Sequence, residues 1–465
     1  AAGPDLGQLV GQEAEVGDGV LGQRVQAVVI QGLELGQLVV GQQSLAHAGG
    51  VGRQAAALHR DGTAAQRGLH LFEVIDIPVF QAAEVACLVA DRHDVVHQAV
   101  DLPQGAGFFQ IGVSNAERHA ADAVVMILVV QGQVAAGQQG VQQRGDAAFG
   151  NAQKKFREMG YQLQLGPNCY AGEGIGISNT PEKCGQELTD YYCSPENDCL
   201  ISCGGGELMC ETMSHVDFER LQAAEPKWYL GYSDNTNMTY LLATICDTAS
   251  VYGPCAAAFG MEPWHASLRD AFGILTGETK EVHGYDKWEK ESLKNEEQPL
   301  LPYNTTESRV LKKYLGRQTA EKEPEIRFSG RLLGGCMDCL VNLLGTRFDK
   351  TQDFLEKYKE DGIIWFLEAC DLNVFAIRRA MWQMEEAGWF QYVKGFLIGR
   401  PLCFGQEMMG LDQYQAVLAV AGEKNVPVIM DMDLGHLAPM MPIVTGSCAE
   451  VQVQGNDVTL RYDYR

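Results

Sequence analysis

Ser233 lies in Gly231-Tyr232-Ser233-Asp234-Asn235-Thr236, after an apolar, aromatic run (Trp228, Tyr229, Leu230) and before a helical pattern over 238–245. Strand, sharp turn and helix in that order put a hydroxyl at a helix N-terminus, where N–H groups and the helix dipole favour developing negative charge. The same residues also fit a plain helix cap by Ser233 or Asp234. Nucleophilic serine chemistry needs a base and an orienting acid from elsewhere in the chain. Beyond residue 150 there are only four histidines: His215, His265, His283 and His436. His436 follows a strand pattern in Asp433-Leu434-Gly435-His436, with Pro439 and Pro442 stiffening the loop behind it, which suits a base. Glu368 closes the apolar run Trp365-Phe366-Leu367, and a half-buried carboxylate there needs a partner. An imidazole supplies one; Arg378 or Arg379 is the alternative. Backbone N–H groups of Asp234 and of Gly205 or Gly206 are candidates for an oxyanion hole. A tight turn equally explains Gly204-Gly205-Gly206. The chain order Ser, Glu, His matches α/β-hydrolases, but Asn235 stands where their Gly-x-Ser-x-Gly elbow has its second glycine, which disfavours that family.

The elements around these residues predict an α/β fold. A helix ends at Gly160, a strand-like alternation covers 161–165, and Thr180 and Pro181 open a helix to about Tyr192. A short strand over 198–202 leads into the glycine loop, a further helix follows, and 228–232 forms the strand before Ser233. Alternation of this kind indicates a parallel sheet, with ligands at the carboxyl ends of its strands. Residues 152–275 are read as the nucleophile-bearing domain and 276–328 as a charged linker or lid containing Trp288. Residues 329–465 form a second domain, with strands over 363–367, 393–398, 427–432, 450–453 and 458–462 and helices over 340–344, 375–388 and 412–423.

Composition narrows the function classes. The chain has 465 residues, 46% of them hydrophobic, and a net charge of −24, which argues against nucleic acid or anionic membrane as a partner. No run of 18 apolar residues and no signal-peptide pattern occurs, so a cytoplasmic location is expected. The 14 cysteines are dilute and irregularly spaced, as in reduced proteins. Cys336-x-x-Cys339 lacks a second pair or a nearby histidine and reads as structural thiols rather than a metal site. Residues 1–150 stand apart. They contain no Lys, Tyr or Trp and one cysteine, Cys87; six histidines fall there without a ligand pattern, and 123–130 is strand-like. This segment is either a domain of its own or a mis-framed, unrelated fusion, and its missing amino acids favour the second.

Several ordered motifs resemble the LD-carboxypeptidase family of serine peptidases, which includes the microcin C self-immunity peptidases. They are Gly231-Tyr232-Ser233-Asp234, Leu367-Glu368 and Gly435-His436-x-x-Pro439, supported by Gly205-Gly206, Gly253-Pro254, Gly334-Gly335, Leu344-Gly345-Thr346, Arg378, Ala387-Gly388 and Gly399-Arg400. The resemblance covers about 152–465. It implies a flavodoxin-like parallel-sheet domain carrying Ser233, then a mainly β, swivelling β/α domain carrying Glu368 and His436, with the active site between them. It also implies no metal or cofactor, a homodimer, and removal of a terminal D-amino acid from muropeptides or other small peptides in the cytoplasm. The long gap between Ser233 and Glu368, with Trp288 in it, is similar to the microcin-immunity branch, which accepts aminoacyl-nucleotide-like substrates. The family also opens with a strand that no segment before Ala152 matches, so a sheet short of one strand is expected, and a truncated, inactive relative that only binds peptide is the alternative outside enzymes.

Overall fold

The computed structural model describes residues 142–464 except Glu296, together with Val29–Gln31 and Leu69–Leu71. The chain divides into two units, Ala1–Ala116 and Glu117–Arg465. In the first, Val29–Gln31 pairs antiparallel with Leu69–Leu71. The other expectations for residues 1–141, the strand-like run over 123–130 included, lie outside the described residues.

The first described element of the second unit is helix α1 (Gln142–Glu158), which begins well before residue 150 and buries Phe149, Ala152 and Phe156. Phe156 meets Phe259, Trp264 and Phe272, so this helix belongs to the core of the nucleophile domain. Helix α2 (Pro181–Tyr192) starts as expected, with the Thr180 side chain accepting from the Lys183 N–H and proline in the first turn. The alternation over 161–165 does not become a strand. Tyr161 packs edge-on against Phe272 instead, and among the described residues no strand pairs with this segment.

Strands β1 (Cys199–Ile201), β2 (Trp228–Gly231) and β3 (Ser250–Tyr252) run parallel. β1 is an edge strand of this sheet among the described residues. Between β2 and β3 runs helix α3 (Thr236–Thr244), every residue of which is buried. A helix covered on all sides must satisfy its own polar groups. Thr239 and Thr244 donate to the carbonyls of Asn235 and Tyr240, 3.2 and 3.0 Å away. Helix α4 (Ala266–Leu275) completes this domain.

The stretch read as a linker or lid is instead woven into the fold. It forms β4 (Glu281–His283), β5 (Lys287–Glu289), β6 (Thr305–Ser308), β7 (Lys312–Leu315) and β8 (Gln318–Thr319). The second domain supplies β9 (Ile326–Cys336), α5 (Met337–Leu343), α6 (Thr351–Lys357), β10 (Ile363–Glu368), α7 (Val374–Glu386), β11 (Val393–Gly399), α8 (Gln413–Ala421), β12 (Pro427–Met432), β13 (Ile443–Thr445), β14 (Cys448–Gln454) and β15 (Asp457–Asp463). Its nine-stranded sheet runs β8-β7-β12-β11-β10-β9-β14-β15-β4. The centre, β9 to β12, is parallel and the flanks are antiparallel. Strand β10 is buried along its whole length, which is why it reads as an unbroken apolar run.

Strand β13 and helix α3 help tie the domains together. β13 returns to the first sheet and pairs antiparallel with β3, Ile443 opposite Tyr252. Helix α3 packs on the second domain: the Tyr240 hydroxyl lies 2.7 Å from that of Thr351, and its ring stacks on Trp389, which stacks on Trp365. At the end of β9, Gly335 has φ +142°, and a Cβ there would come within 2.6 Å of Thr236. Only glycine lets β9 approach the start of α3 this closely.

Candidate active site

Ser233, Glu368 and His436, 203 residues apart in sequence at the extreme, are brought together by the carboxyl ends of strands. β2 ends two residues before Ser233, β10 ends at Glu368, and β12 ends four residues before His436. Parallel sheets present their ligand-binding edge there. The Ser233 hydroxyl lies 2.9 Å from His436 Nε2, and His436 Nδ1 lies 3.0 Å from Glu368 Oε2. Glu368 thus ion-pairs with His436 and with neither Arg378 nor Arg379; Arg378 instead reaches the Gln415 carbonyl at 3.3 Å.

Ser233 adopts φ +64°, a conformation that side-chain-bearing residues avoid. Such strain at a strand–helix turn lifts a hydroxyl clear of the chain. Asn235, the residue that departs from the hydrolase elbow, holds the turn. Its Nδ2 donates to the carbonyls of Gly204 and Tyr232, at 2.8 and 2.9 Å, and its Oδ1 accepts from Tyr229. An amide side chain thus anchors the nucleophile turn to the glycine loop.

Glu368 is buried, and burial alone would raise its carboxyl. The His436 ring, with hydrogen bonds from His436, Tyr252 and Cys336, outweighs this and holds it below the ordinary carboxylate value. Burial would likewise depress His436, but the Glu368 carboxylate and the nearby Cys370 raise it well above the ordinary imidazole value. The loop that carries His436 passes close behind the acid. Gly435 has φ +97°, and a Cβ there would fall 2.6 Å from Glu368 Oε2.

Of the oxyanion candidates, the Gly206 N–H is already donated to Asp234 Oδ2 at 3.0 Å. Gly205 lies beside the hydroxyl, since a Cβ on it would be 3.5 Å from Ser233 Oγ. Trp288 is 5% exposed, its ring edge-on to Phe404 and under the Arg400 guanidinium, so the face expected for substrate is covered by protein here. No disulfide joins any cysteine among the described residues, and no cluster of His, Cys, Asp or Glu there is arranged to hold a metal ion. Nor is any helix among them long and apolar enough to cross a membrane.

Two features escaped the sequence reading. Tyr252, at the end of β3, accepts the Ser233 N–H at 3.0 Å and donates to Glu368 Oε1 at 2.6 Å. Its signal was available: an aromatic hydroxyl at a strand end beside the Gly253-Pro254 landmark. The second is a buried ion cluster behind the His436 loop. Asp433 meets Arg400 Nη2 at 2.6 Å and Arg309 Nη1 at 3.3 Å and accepts the Tyr285 N–H at 2.8 Å. No local pattern reports this, because its members come from three distant stretches.

An elbow serine, an imidazole and a carboxylate in this relay define a hydrolase of the serine type. Family models for the LD-carboxypeptidase N-terminal and C-terminal domains match residues 133–253 and 329–451. The chain belongs to the LD-carboxypeptidase family. It is 22% identical over 294 residues to the microcin C7 self-immunity protein MccF of Escherichia coli, covering 62% of this chain and 80% of that one. Among solved structures it is similar to MccF in complex with glutamyl sulfamoyl guanosine, with TM-score 0.57 and 17% identity over 73% of this chain and 99% of that one. An MccF-like protein from Bacillus anthracis str. Ames is similar with TM-score 0.56 and 18% identity over 71% and 96%.

Proposed function

We propose that the protein is a serine carboxypeptidase that hydrolyses the L–D peptide bond at the C-terminus of muropeptides, as in cytoplasmic peptidoglycan recycling. The observation that carries this is the unbroken relay from Ser233 through His436 to Glu368. Ser233 Oγ attacks the carbonyl carbon of the terminal bond while His436 Nε2 takes its proton. The N–H groups of Asp234 and Gly205 receive the oxyanion, and His436 then protonates the departing amine of the D-residue. Water, deprotonated by the same nitrogen, frees the acyl group from Ser233. Glu368 orients the ring and balances its charge. The test is mass spectrometry of a muropeptide tetrapeptide incubated with the full chain. Loss of one D-alanine with the wild type and none with Ser233→Ala, at unchanged far-UV circular dichroism, supports the reading; turnover by Ser233→Ala refutes it.

A second reading is hydrolysis of a peptidyl or aminoacyl nucleotide, favoured by the likeness to MccF. Trp288 would then stack on the base after turning out from Phe404 and Arg400. Inhibition by aspartyl sulfamoyl adenosine, with no D-alanine release from muropeptide, selects this substrate. The homodimer that the family resemblance implies belongs to the same proposal, and light scattering of the full chain reads it.

A further inference from the structure

We propose that Tyr252 is a positioning residue that keeps Glu368 ionised, selects the His436 tautomer able to act as base, and withdraws the nucleophile's own N–H from the oxyanion hole. The inference deepens the serine-hydrolase reading and rests on it.

A phenol has a single O–H proton and can also accept. The Ser233 backbone nitrogen can only donate, so Tyr252 Oη must accept there, at 3.0 Å. Its one proton is therefore directed at Glu368 Oε1, 2.6 Å away. A carboxyl proton on Oε1 would face that donor head-on, so a protonated Glu368 would carry its proton on Oε2, toward His436 Nδ1. The imidazole would then accept at Nδ1, hold its own proton on Nε2, and point a donor at Ser233 Oγ. That tautomer cannot take the serine proton. Donation from Tyr252 favours the ionised carboxylate. Glu368 Oε2 then accepts from Nδ1–H, and the Nε2 lone pair faces Ser233.

The placement of Tyr252 suits this task. It is buried at the end of β3, its ring 5.5 Å from that of Phe366. Burial first, and the adjacent Glu368 charge second, push its hydroxyl well above the ordinary tyrosine value, so it remains a donor at working pH. It also bridges the domains, since Tyr252 and Ser233 belong to the first sheet's strand ends and Glu368 to the second's. Because the Ser233 N–H is turned onto Tyr252, the oxyanion donors must come from neighbouring residues.

The experiment compares the full-length wild type, Ser233→Ala, Tyr252→Phe and Tyr252→3-fluorotyrosine, the last installed by stop-codon suppression. The readout is the rate at which a fluorophosphonate labels Ser233 across pH, with the labelled residue located by mass spectrometry. Losing a hydrogen bond to a charged group slows Tyr252→Phe by about tenfold to a hundredfold. It also leaves a more basic carboxylate, which holds the His436 proton more tightly and moves the acid limb to higher pH. Fluorotyrosine has the same shape and is a stronger donor, so its acid limb moves to lower pH. Opposite displacements are a signature that a merely structural side chain does not produce, and the fluorinated protein carries the test if Tyr252→Phe fails to fold. Profiles that superimpose on the wild type, or move in the same direction, overturn the inference while the labelled wild type upholds the hydrolase reading. A wild type unlabelled at Ser233, like Ser233→Ala, overturns both.

Discussion

Loss of the Asp433 carboxylate should cost the fold heavily. The Asp433 side chain is fully buried, and the Arg400 and Arg309 side chains that face it are 1% and 3% exposed. Replacing it by alanine leaves two guanidinium charges in a nearly dry site. Arg309 retains a second carboxylate, Asp457, at 3.5 Å, but that partner is solvent-exposed. Arg400 retains the Asp431 carbonyl at 2.7 Å, while its Nε already lacks a partner. Breaking a buried pair from one side costs about 3–5 kcal/mol. With two cations involved and one partly compensated, about 4 kcal/mol is the expected loss, which lowers Tm by roughly 10 °C in a domain of this size. Asparagine should not rescue. Whichever way its amide is turned, the NH2 group faces a donor, either Arg400 Nη2 or Arg309 and the Tyr285 N–H. Asp457→Ala serves as the control, since exposed pairs contribute about 0–1 kcal/mol. Differential scanning calorimetry of the four proteins checks the set. A Tm for Asp433→Ala within about 2 °C of wild type, below the least shift that the buried-pair cost allows, or an Asp433→Asn protein as stable as wild type, would refute the reasoning.

Activity should fall on the acid side at a pH above the ordinary imidazole range. His436 must be neutral to take a proton, and the Glu368 carboxylate overcomes burial to raise its pKa well above normal. A kcat/KM profile whose acid limb lies at or below the free-imidazole value contradicts this. Gly435→Ala should reduce kcat by about a hundredfold, because the new Cβ displaces Glu368 or the His436 loop by a fraction of an ångström to an ångström; wild-type turnover in that variant would show that the loop yields without moving either group. Glu187 is buried with its carboxyl pushed up to about 8, against hydrogen bonds from Asn168 that partly offset burial. The folded state thus holds a proton that the unfolded chain releases near pH 4.5, so wild-type stability should decline as pH rises from about 4.5 to about 8. Glu187→Gln should flatten that decline in urea titrations, and an unchanged slope would remove Glu187 as its source.

What the sequence made legible was local. Ser233, Glu368 and His436 each sit at the end of an apolar strand, so periodicity placed them and short motifs singled them out. The helix starts at Thr180 and Asp412 could be read because their caps are side chains adjacent in sequence. What remained hidden was pairing between distant segments. The polar run over 278–323 looks like a linker because its strands are short or solvated, β6 alternating half-buried and exposed residues. Yet β4 and β7 are members of the nine-stranded sheet, and Arg309 and Tyr285 reach Asp433. Tyr252 was passed over for a related reason, since its role depends on Ser233 and Glu368 arriving from opposite sides.

The return of β13 to the first sheet also bears on biosynthesis. Its partner strand β3 leaves the ribosome about 190 residues earlier, and at translation rates of 5–20 residues per second the gap is roughly ten to forty seconds. During that interval the nucleophile domain has an open sheet edge; Glu368 follows Tyr252 by 116 residues and His436 comes only just before β13, so Ser233 lacks its base for nearly all of it. Ser233 therefore emerges without its acid and base, and the relay can close only once His436, 203 residues further on, has been made.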